Sequence, residues 1–367
     1  MSTGSLKSKS SFPSAGHPAG KVRVKLVDVA REAGVSPTTV SHALNDRGYV
    51  DQKTRESVKQ VALRLGYKPN RHAQRLRTGE ANMIVLISSM PFSVAGGPSR
   101  LGFLMEIAAV AAGIALDRGL ALVLAPPSDT ASRLFDQLDV DGVLALEPIA
   151  DDSLVASFVD RGLPVVSIGR PPVLGLPYVD LHSATTTHQL LEHLHTQGSR
   201  RIALVIGKQQ RTSYIEAIVA YQAFTAERGI KPVIHTVDEL LGEEGGRLAT
   251  LELIAQYPEM DAICAPVDAF AAGVIQALHD LGRQVPEDVM VATRYDGLRA
   301  RNSRPPLTSL NLHLDTVAAQ AIDLLLEHLR GETTCRGVDG PAAELIVRES
   351  TQRHGNAIAM SQTHHGA

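Results

Sequence analysis

The chain predicts an N-terminal all-α helix-turn-helix domain followed by an α/β core of two doubly wound parallel-sheet subdomains, and three observations carry that reading. Residues 26–45 hold two short amphipathic stretches joined by a glycine-centred turn. From residue 83 onward, continuous apolar runs alternate with stretches of helical periodicity, which is the texture of strands buried on both faces and the helices that cover them. The charge is divided: a net charge of −3 over 367 residues conceals 15 Lys+Arg against 5 Asp+Glu in residues 1–79, leaving −13 for the remainder. A cationic end that coincides with a helix-turn-helix implies a polyanionic partner.

With 44% hydrophobic residues, the chain can bury a large core and fills more than one domain. Cys264 and Cys335 lie far apart without the paired spacing of a zinc site, which points to reduced thiols in a reducing cytoplasm and to no redox chemistry. Residues 1–22 are rich in Ser, Gly and Pro and lack an apolar run, so they read as a disordered arm and not as a signal peptide or membrane anchor.

In the head, residues 23–68, Leu26, Val29, Ala30 and Ala33 stripe the first helix, and Gly34 ends it in a left-handed conformation that glycine accepts. Val35 plugs the turn. Ser36 caps the second helix and Pro37 suits its first turn, where no intrahelical donor is needed. Val40, Ala43 and Leu44 face inward, which turns Pro37, Thr38, Thr39, Ser41 and His42 outward as a polar face suited to a major groove. Asp51 caps a third helix striped by Val58, Val61, Ala62 and Leu65 and stopped by Gly66. Tyr67, Pro69 and Asn70 make a break between the head and the linker, residues 69–81, and Asn70 caps a helix through about Arg77 that is too short to stand alone in water and forms when DNA or a partner helix supports it.

The core, residues 82–353, opens with apolar runs at 83–89, 120–127, 140–148 and 164–169, between which 101–118 and 151–162 are helical. A second series follows: helix 183–197, strand 201–207, helix 213–229, strand 233–237, helix 243–256, strand 260–266, helix 268–281 and strand 289–295. The division expected is about 82–181 plus 311–335 for one subdomain and about 182–310 plus 336–353 for the other, with a tail from 354 to 367. Loops that follow the strands of the two halves face each other across a cleft, where a ligand of such folds sits.

LVDVAREAGVSPTTVSHALN, VDQKTRESVKQVALRLGYKPNRHAQRLRTG, VPEDVMVATRYDG and PPLTSL, taken in order from about residue 24 to Thr351, resemble the lactose and galactose repressor (LacI/GalR) family. The resemblance implies a core with the architecture of periplasmic binding proteins. It also implies a homodimer that reads a near-palindromic double-stranded DNA operator under the control of a small-molecule effector, a sugar or sugar derivative, as a transcriptional repressor. Residue by residue, it places Pro37, Thr38 and His42 against base edges and Ser36, Thr39, Ser41, Asn45, Thr54, Tyr67, Asn70 and Gln74 on the DNA backbone. Many relatives carry Arg at the place of His42, and an imidazole cannot make the bidentate guanine contact of a guanidinium. Leu76 matches a leucine wedged into the minor groove, with Arg71, Arg75 and Arg77 beside it for phosphates.

In the cleft, the resemblance implies effector contacts from Ser89, Phe92, Arg170, Arg211, Ser213, Asp268, Arg294 and Asp296. Here the chain departs from the pattern: Val267 stands where Asn is expected, Ala217 where Arg is expected, and Gly169 where Asp is common. Arg294 replaces a small residue and Lys208 and Arg211 follow a strand, so the expectation is a cleft that has gained positive charge and accepts an anionic or mixed ligand.

The chain lacks GxGxxG at the first strand-helix turn, GxxxxGK and HExxH, which argues against an enzyme, and neither metal nor cofactor is expected. His188, Glu192 and His195 have chelating spacing but sit where surface and packing roles are expected. A periplasmic sugar-binding protein without a DNA role shares the core architecture and leaves the basic head unexplained. Dimerisation is expected through the apolar faces of 101–117 and 268–281, with no leucine heptads in the tail to build a tetramer. The chain reads as cytoplasmic and nucleoid-associated, with no membrane partner.

Overall fold

The computed structural model describes residues 24–45, 48–67, 80–95, 102–125, 139–172, 175–332 and 336–353. It divides into two compact units, Met1–Gly79 and Glu80–Ala367.

The first unit contains α1 (Leu26–Ala33), α2 (Pro37–Leu44) and α3 (Gln52–Arg64). Val29, Val40, Ala43 and Val58 are fully buried where the three helices meet. The ends are set locally. Gly34 adopts φ +67° and returns its N–H to the last turn of α1, the Ser36 hydroxyl accepts from the Thr39 amide at 3.0 Å, and Asp51 accepts from the Thr54 amide at 3.0 Å. The helix expected between Asn70 and Arg77 lies outside the described residues.

In the second unit, the first sheet is built from β1 (Met83–Ser88), β2 (Ala121–Ala125), β3 (Gly142–Leu146), β4 (Val165–Ile168), β5 (Tyr178–Asp180) and β11 (Gly337–Asp339), in the order β11-β5-β4-β3-β1-β2. Every pairing in it is parallel. The second sheet holds β6 (Ile202–Gly207), β7 (Ile234–Val237), β8 (Ala262–Cys264), β9 (Met290–Tyr295), β10 (Thr308–Asn311) and β12 (Glu344–Ile346), ordered β12-β10-β9-β8-β6-β7, with only β12 antiparallel to its neighbour. Each apolar run expected to be a strand is one. Strands β5, β10, β11 and β12 escaped the sequence reading, because three or four residues with mixed polarity carry no continuous apolar signature. The division of the halves also needs correction: Val338 pairs with Val179, so residues 337–339 belong to the first sheet and not, as expected, to the second subdomain.

Helices cover both sheets. The first half carries α4 (Phe92–Ala95), α5 (Phe103–Asp117), α6 (Ser153–Asp160) and, returning after β10, α12 (Leu314–Leu329); the second carries α7 (Ser183–Thr196), α8 (Thr212–Glu227), α9 (Gly242–Gln256), α10 (Asp268–Asp280) and α11 (Leu298–Asn302). The chain leaves one half for the other after β5 and after β10 by the same turn. Asp180 Oδ1 accepts the His182 amide at 2.9 Å and Asn311 Oδ1 accepts the His313 amide at 3.0 Å. Both histidines take left-handed backbone, φ +50° and +51°, immediately before a helix. At the first crossing, Asp339 also approaches His182, but Arg170 already neutralises Asp180 at 2.5 Å.

Helices α9 and α10 cross at backbone contact. A Cβ on Gly273 would stand 1.9 Å from the Glu243 carbonyl oxygen, and one on Gly246 would stand 2.3 Å from that of Phe270. This crossing uses up most of the apolar surface of α10, where Ala269, Phe270, Val274, Ala277 and Leu278 are fully buried inside the same half. Much of the apolar stripe expected to serve a dimer at 268–281 is packed within the same half, with Leu281 left exposed, and α5 keeps Ala109, Ala112, Gly113 and Leu116 exposed. Gly273→Ala is expected to destabilise the core by at least about 1–3 kcal/mol, the usual cost of overpacking a close contact, read as a lower urea midpoint with unchanged slope.

Candidate functional site

Two regions concentrate polar side chains: the start of α2 in the head, and the space between the two sheets of the core.

In the head, Pro37 and Thr38 are exposed on the first turn of α2. Ser36 and Thr39 join through their hydroxyls at 2.8 Å, and the Asn45 amide nitrogen donates to the Ser41 carbonyl at 2.6 Å, so the outward row is held in place by its own hydrogen bonds. The sequence turns His42 outward, but its ring is half-buried beneath the turn at Gly48, where a Cβ would lie 2.6 Å from Nδ1. Thr54 and Tyr67 are half-buried at the start of α3 and just past its end. Asn70, Gln74 and Leu76 lie outside the described residues.

In the core, the two halves meet across a cavity of about 40 Å³ lined by Met90, Val94 and Phe103 from one side, by Tyr214, Ala217, Asp268, Arg294 and Tyr295 from the other, and by Glu147 between them. Glu147 follows β3 with φ +42°, a backbone conformation that costs a non-glycine residue energy and marks positions over-determined by their surroundings. Its carboxylate accepts Arg294 at 2.5 Å and the Ser213 hydroxyl at 3.2 Å, while its carbonyl accepts Arg211 at 2.6 Å. A Cβ at residue 169 would meet the Glu147 side chain at 3.0 Å, so Gly169 leaves the room that this carboxylate fills.

Arg211 is fully buried and makes a two-pronged ion pair with Glu239, both contacts at 2.9 Å, while reaching Ser89 at 3.0 Å. Burial pulls the Arg211 pKa down, and the Glu239 carboxylate more than reverses this. The Tyr214 phenol donates to Glu239 at 2.6 Å, and burial together with that carboxylate pushes its pKa well up, which keeps it a donor. Asp268 is buried against Arg299 at 3.1 Å; desolvation raises its pKa and outweighs the guanidinium.

Of the residues expected to hold an effector, Ser213, Asp268 and Arg294 line the cavity, and Ser89 and Arg211 lie directly behind Glu147. Phe92 opens α4. Arg170 is half-exposed and pairs with Asp180 and with Glu216 at 3.4 Å. Asp296 does not line the cavity: it faces a separate space of about 210 Å³, and Ser309, Arg301 and Arg348 engage both its oxygens. Burial raises its pKa, but those three partners together hold it below the ordinary value of 3.8.

The expected surplus of positive charge is not there. Arg211 meets Glu239, Arg294 meets Glu147, Arg299 meets Asp268, and Lys208 meets Asp238 at 2.6 Å, so the cleft is neutral by pairing and offers no special hold on an anion. Glu147, Glu239 and Tyr214 were not among the expected site residues. Glu147 had a signal, since it is the first charge after the apolar run of β3, at the strand end where cleft residues belong; Glu239 and Tyr214 matter only through a partner far away in sequence. His188, Glu192 and His195 pack as expected: both rings meet the edge of Phe224, Glu192 pairs with Arg228, and His195 bonds to the Ser199 carbonyl. Among the described residues, no helix is long and apolar enough to cross a membrane.

Comparison with known proteins gives this arrangement a context. Residues 25–70 match the bacterial regulatory proteins of the lacI family, and residues 191–351 match the periplasmic binding protein-like domain. The first match covers the basic head, which a ligand-binding protein without a DNA role would leave unaccounted for. The chain is 33% identical over 346 residues to the HTH-type transcriptional regulator CelR of Thermobifida fusca, covering 89% of this chain and 98% of that protein. It is 30% identical over 343 residues to the regulator AglR of Rhizobium meliloti, at 89% and 94% coverage. A solved complex of CelR with cellobiose superposes with a TM-score of 0.65 at 29% identity, covering 89% of this chain and 100% of the other. A lac repressor dimer bound to operator shares the fold at 23% identity with a TM-score of 0.75, covering 90% and 100%. The chain belongs to the lacI family of bacterial regulatory proteins.

Proposed function

We propose that this chain is a transcriptional repressor that reads a near-palindromic operator as a homodimer and responds to a neutral sugar in its core cleft. The observation that carries the reading is the capped, hydroxyl-lined start of α2 on a strongly cationic head, joined in one chain to a two-halved core whose cavity combines aromatic rings with paired charges. In this reading Pro37 and Thr38 touch base edges, and His42, held under Gly48, contributes one imidazole contact. Ser36, Thr39, Ser41, Asn45, Thr54, Tyr67, Asn70 and Gln74 position the head on phosphates. One α2 covers half a site, so two heads related by a twofold axis read half-sites one helical turn, roughly 34–36 Å, apart. The exposed small residues of α5 are the available surface for that axis.

Effector contacts fall to Ser213, Asp268, Arg294 and Glu147, with Tyr214, Phe103 and Tyr295 offering the apolar faces on which a sugar ring packs. Ser89 and Arg211 hold Glu147 in place, and Arg170 stands at the rim. Charge balance favours a neutral ligand over an anionic one, and the relative's complex with cellobiose agrees with that chemistry. Asp296 serves the second sheet as a structural acid.

Selection of bound duplexes from random DNA with the full chain is expected to recover an inverted repeat with one-turn spacing; failure to enrich any repeat at moderate ionic strength would reject the reading. On the recovered duplex, Leu76→Ala is expected to weaken binding by about tenfold or more, as loss of an unstacking wedge requires, with the melting temperature of the core unchanged. Asp296→Asn tests the structural assignment. The wild-type carboxyl titrates below its unfolded value, so its contribution is present above about pH 4 and is lost as the pH falls. The variant is expected to lose about 1.5–3 kcal/mol at pH 7, and in urea titrations its deficit is expected to shrink progressively as the pH is lowered below about 4.

A further inference from the structure

Glu147 is where the two halves are tied together. It directly follows a strand of the first sheet, yet all three of its side-chain and carbonyl partners, Arg211, Ser213 and Arg294, come from the second half. The chain beyond it continues the seam: Ile149 and Arg211 form an isolated antiparallel bridge, and the Ala150 amide donates to the Gln210 carbonyl at 3.2 Å. On the far side of the cavity, the Ser93 hydroxyl donates to the Glu239 carbonyl at 2.7 Å and Arg299 reaches the Val94 carbonyl at 3.2 Å. The space left is about 40 Å³, room for a water or two, whereas a drug-sized ligand site runs to roughly 300–1,000 Å³.

We propose that the Glu147–Arg294 pair is an internal substitute for a cleft ligand: it holds the halves together in the ligand-free chain, and opening is the step that a ligand controls. The pair supplies from within the protein what a bridging ligand supplies from outside, an acceptor from one half facing donors on the other. A sugar enters by replacing these hydrogen bonds, giving hydroxyl donors to Glu147 and acceptors to Arg294, and it holds the halves further apart than the pair does. Glu147 thereby determines specificity, because a ligand without donors leaves its carboxylate buried and unpaired. This extends the effector-responsive reading above and rests on it.

The test uses the full chain without DNA or sugar. In wild type, hydrogen exchange at the Ala150 amide is expected to be protected; an Ala150 amide exchanging as freely as exposed loop amides would overturn the proposal, because the halves would then be apart without ligand. The double variant Glu147→Gln/Arg294→Gln removes the charges together, so neither is left unpaired. It is expected to speed Ala150 exchange by about tenfold or more while amides inside β3 keep their protection, as a local opening requires. Unchanged Ala150 exchange in a folded double variant also overturns the proposal. Should the double variant fail to fold, the wild-type measurement decides alone. On the duplex recovered by selection, the folded variant is expected to shift affinity by about fivefold or more, the lower range of allosteric coupling, and an unshifted affinity rejects control by opening. The exchange arms contain no DNA, so their outcome is separate from whether the head reads an inverted repeat.

Discussion

A buried charge must have its counter-charge beside it, and in this core that requirement fixes how the two halves meet. Arg211 and Glu239 are among the most deeply buried side chains of the chain, and their two-pronged contact only removes the penalty of desolvating both. Once Arg211 is fixed, its remaining donor sits beneath Glu147, and that residue's carboxylate is aimed at Arg294. Tyr214 closes the Glu239 side as a protonated donor. The seam between the halves is thus a connected polar network in which removal of one member exposes the next, and such networks specify one geometry more sharply than an apolar contact of equal area.

The same constraint decides the charge of the cleft. Counting cations along the sequence gave a positive cleft, since Lys208, Arg211 and Arg294 fall near strand ends. Their carboxylate partners come from elsewhere in the chain: Glu239 from the turn after β7, Glu147 from the end of β3, Asp238 from the residue that caps that turn. Linear inspection sees the charges but not their pairing. A neutral cleft with aromatic walls is a different chemical object from a cationic one, and only the three-dimensional arrangement separates the two.

Much of the fold was legible because its signals are local. The caps at Ser36 and Asp51, the left-handed turn at Gly34 and every long apolar strand followed from residues within one turn of each other. What escaped depends on distant partners. Strands β5, β10, β11 and β12 are too short to show a period and exist because a neighbour offers a free edge. Much of the apolar stripe of α10 packs against α9, whose Gly246 lets the two backbones touch, a close approach that periodicity does not reveal. His42 was turned outward by helical phase, and the turn at Gly48, which phase cannot reveal, covers it.

That covered imidazole changes how the head can diverge. Gly48 combines a left-handed φ of +68° with a missing side chain that the ring requires, so positions 42 and 48 pack as one unit. A side chain added at 48 would have to displace the imidazole and would also strain its own backbone. A change at either position accordingly calls for a matching change at the other, so α2 and the turn that trails it are built as one piece.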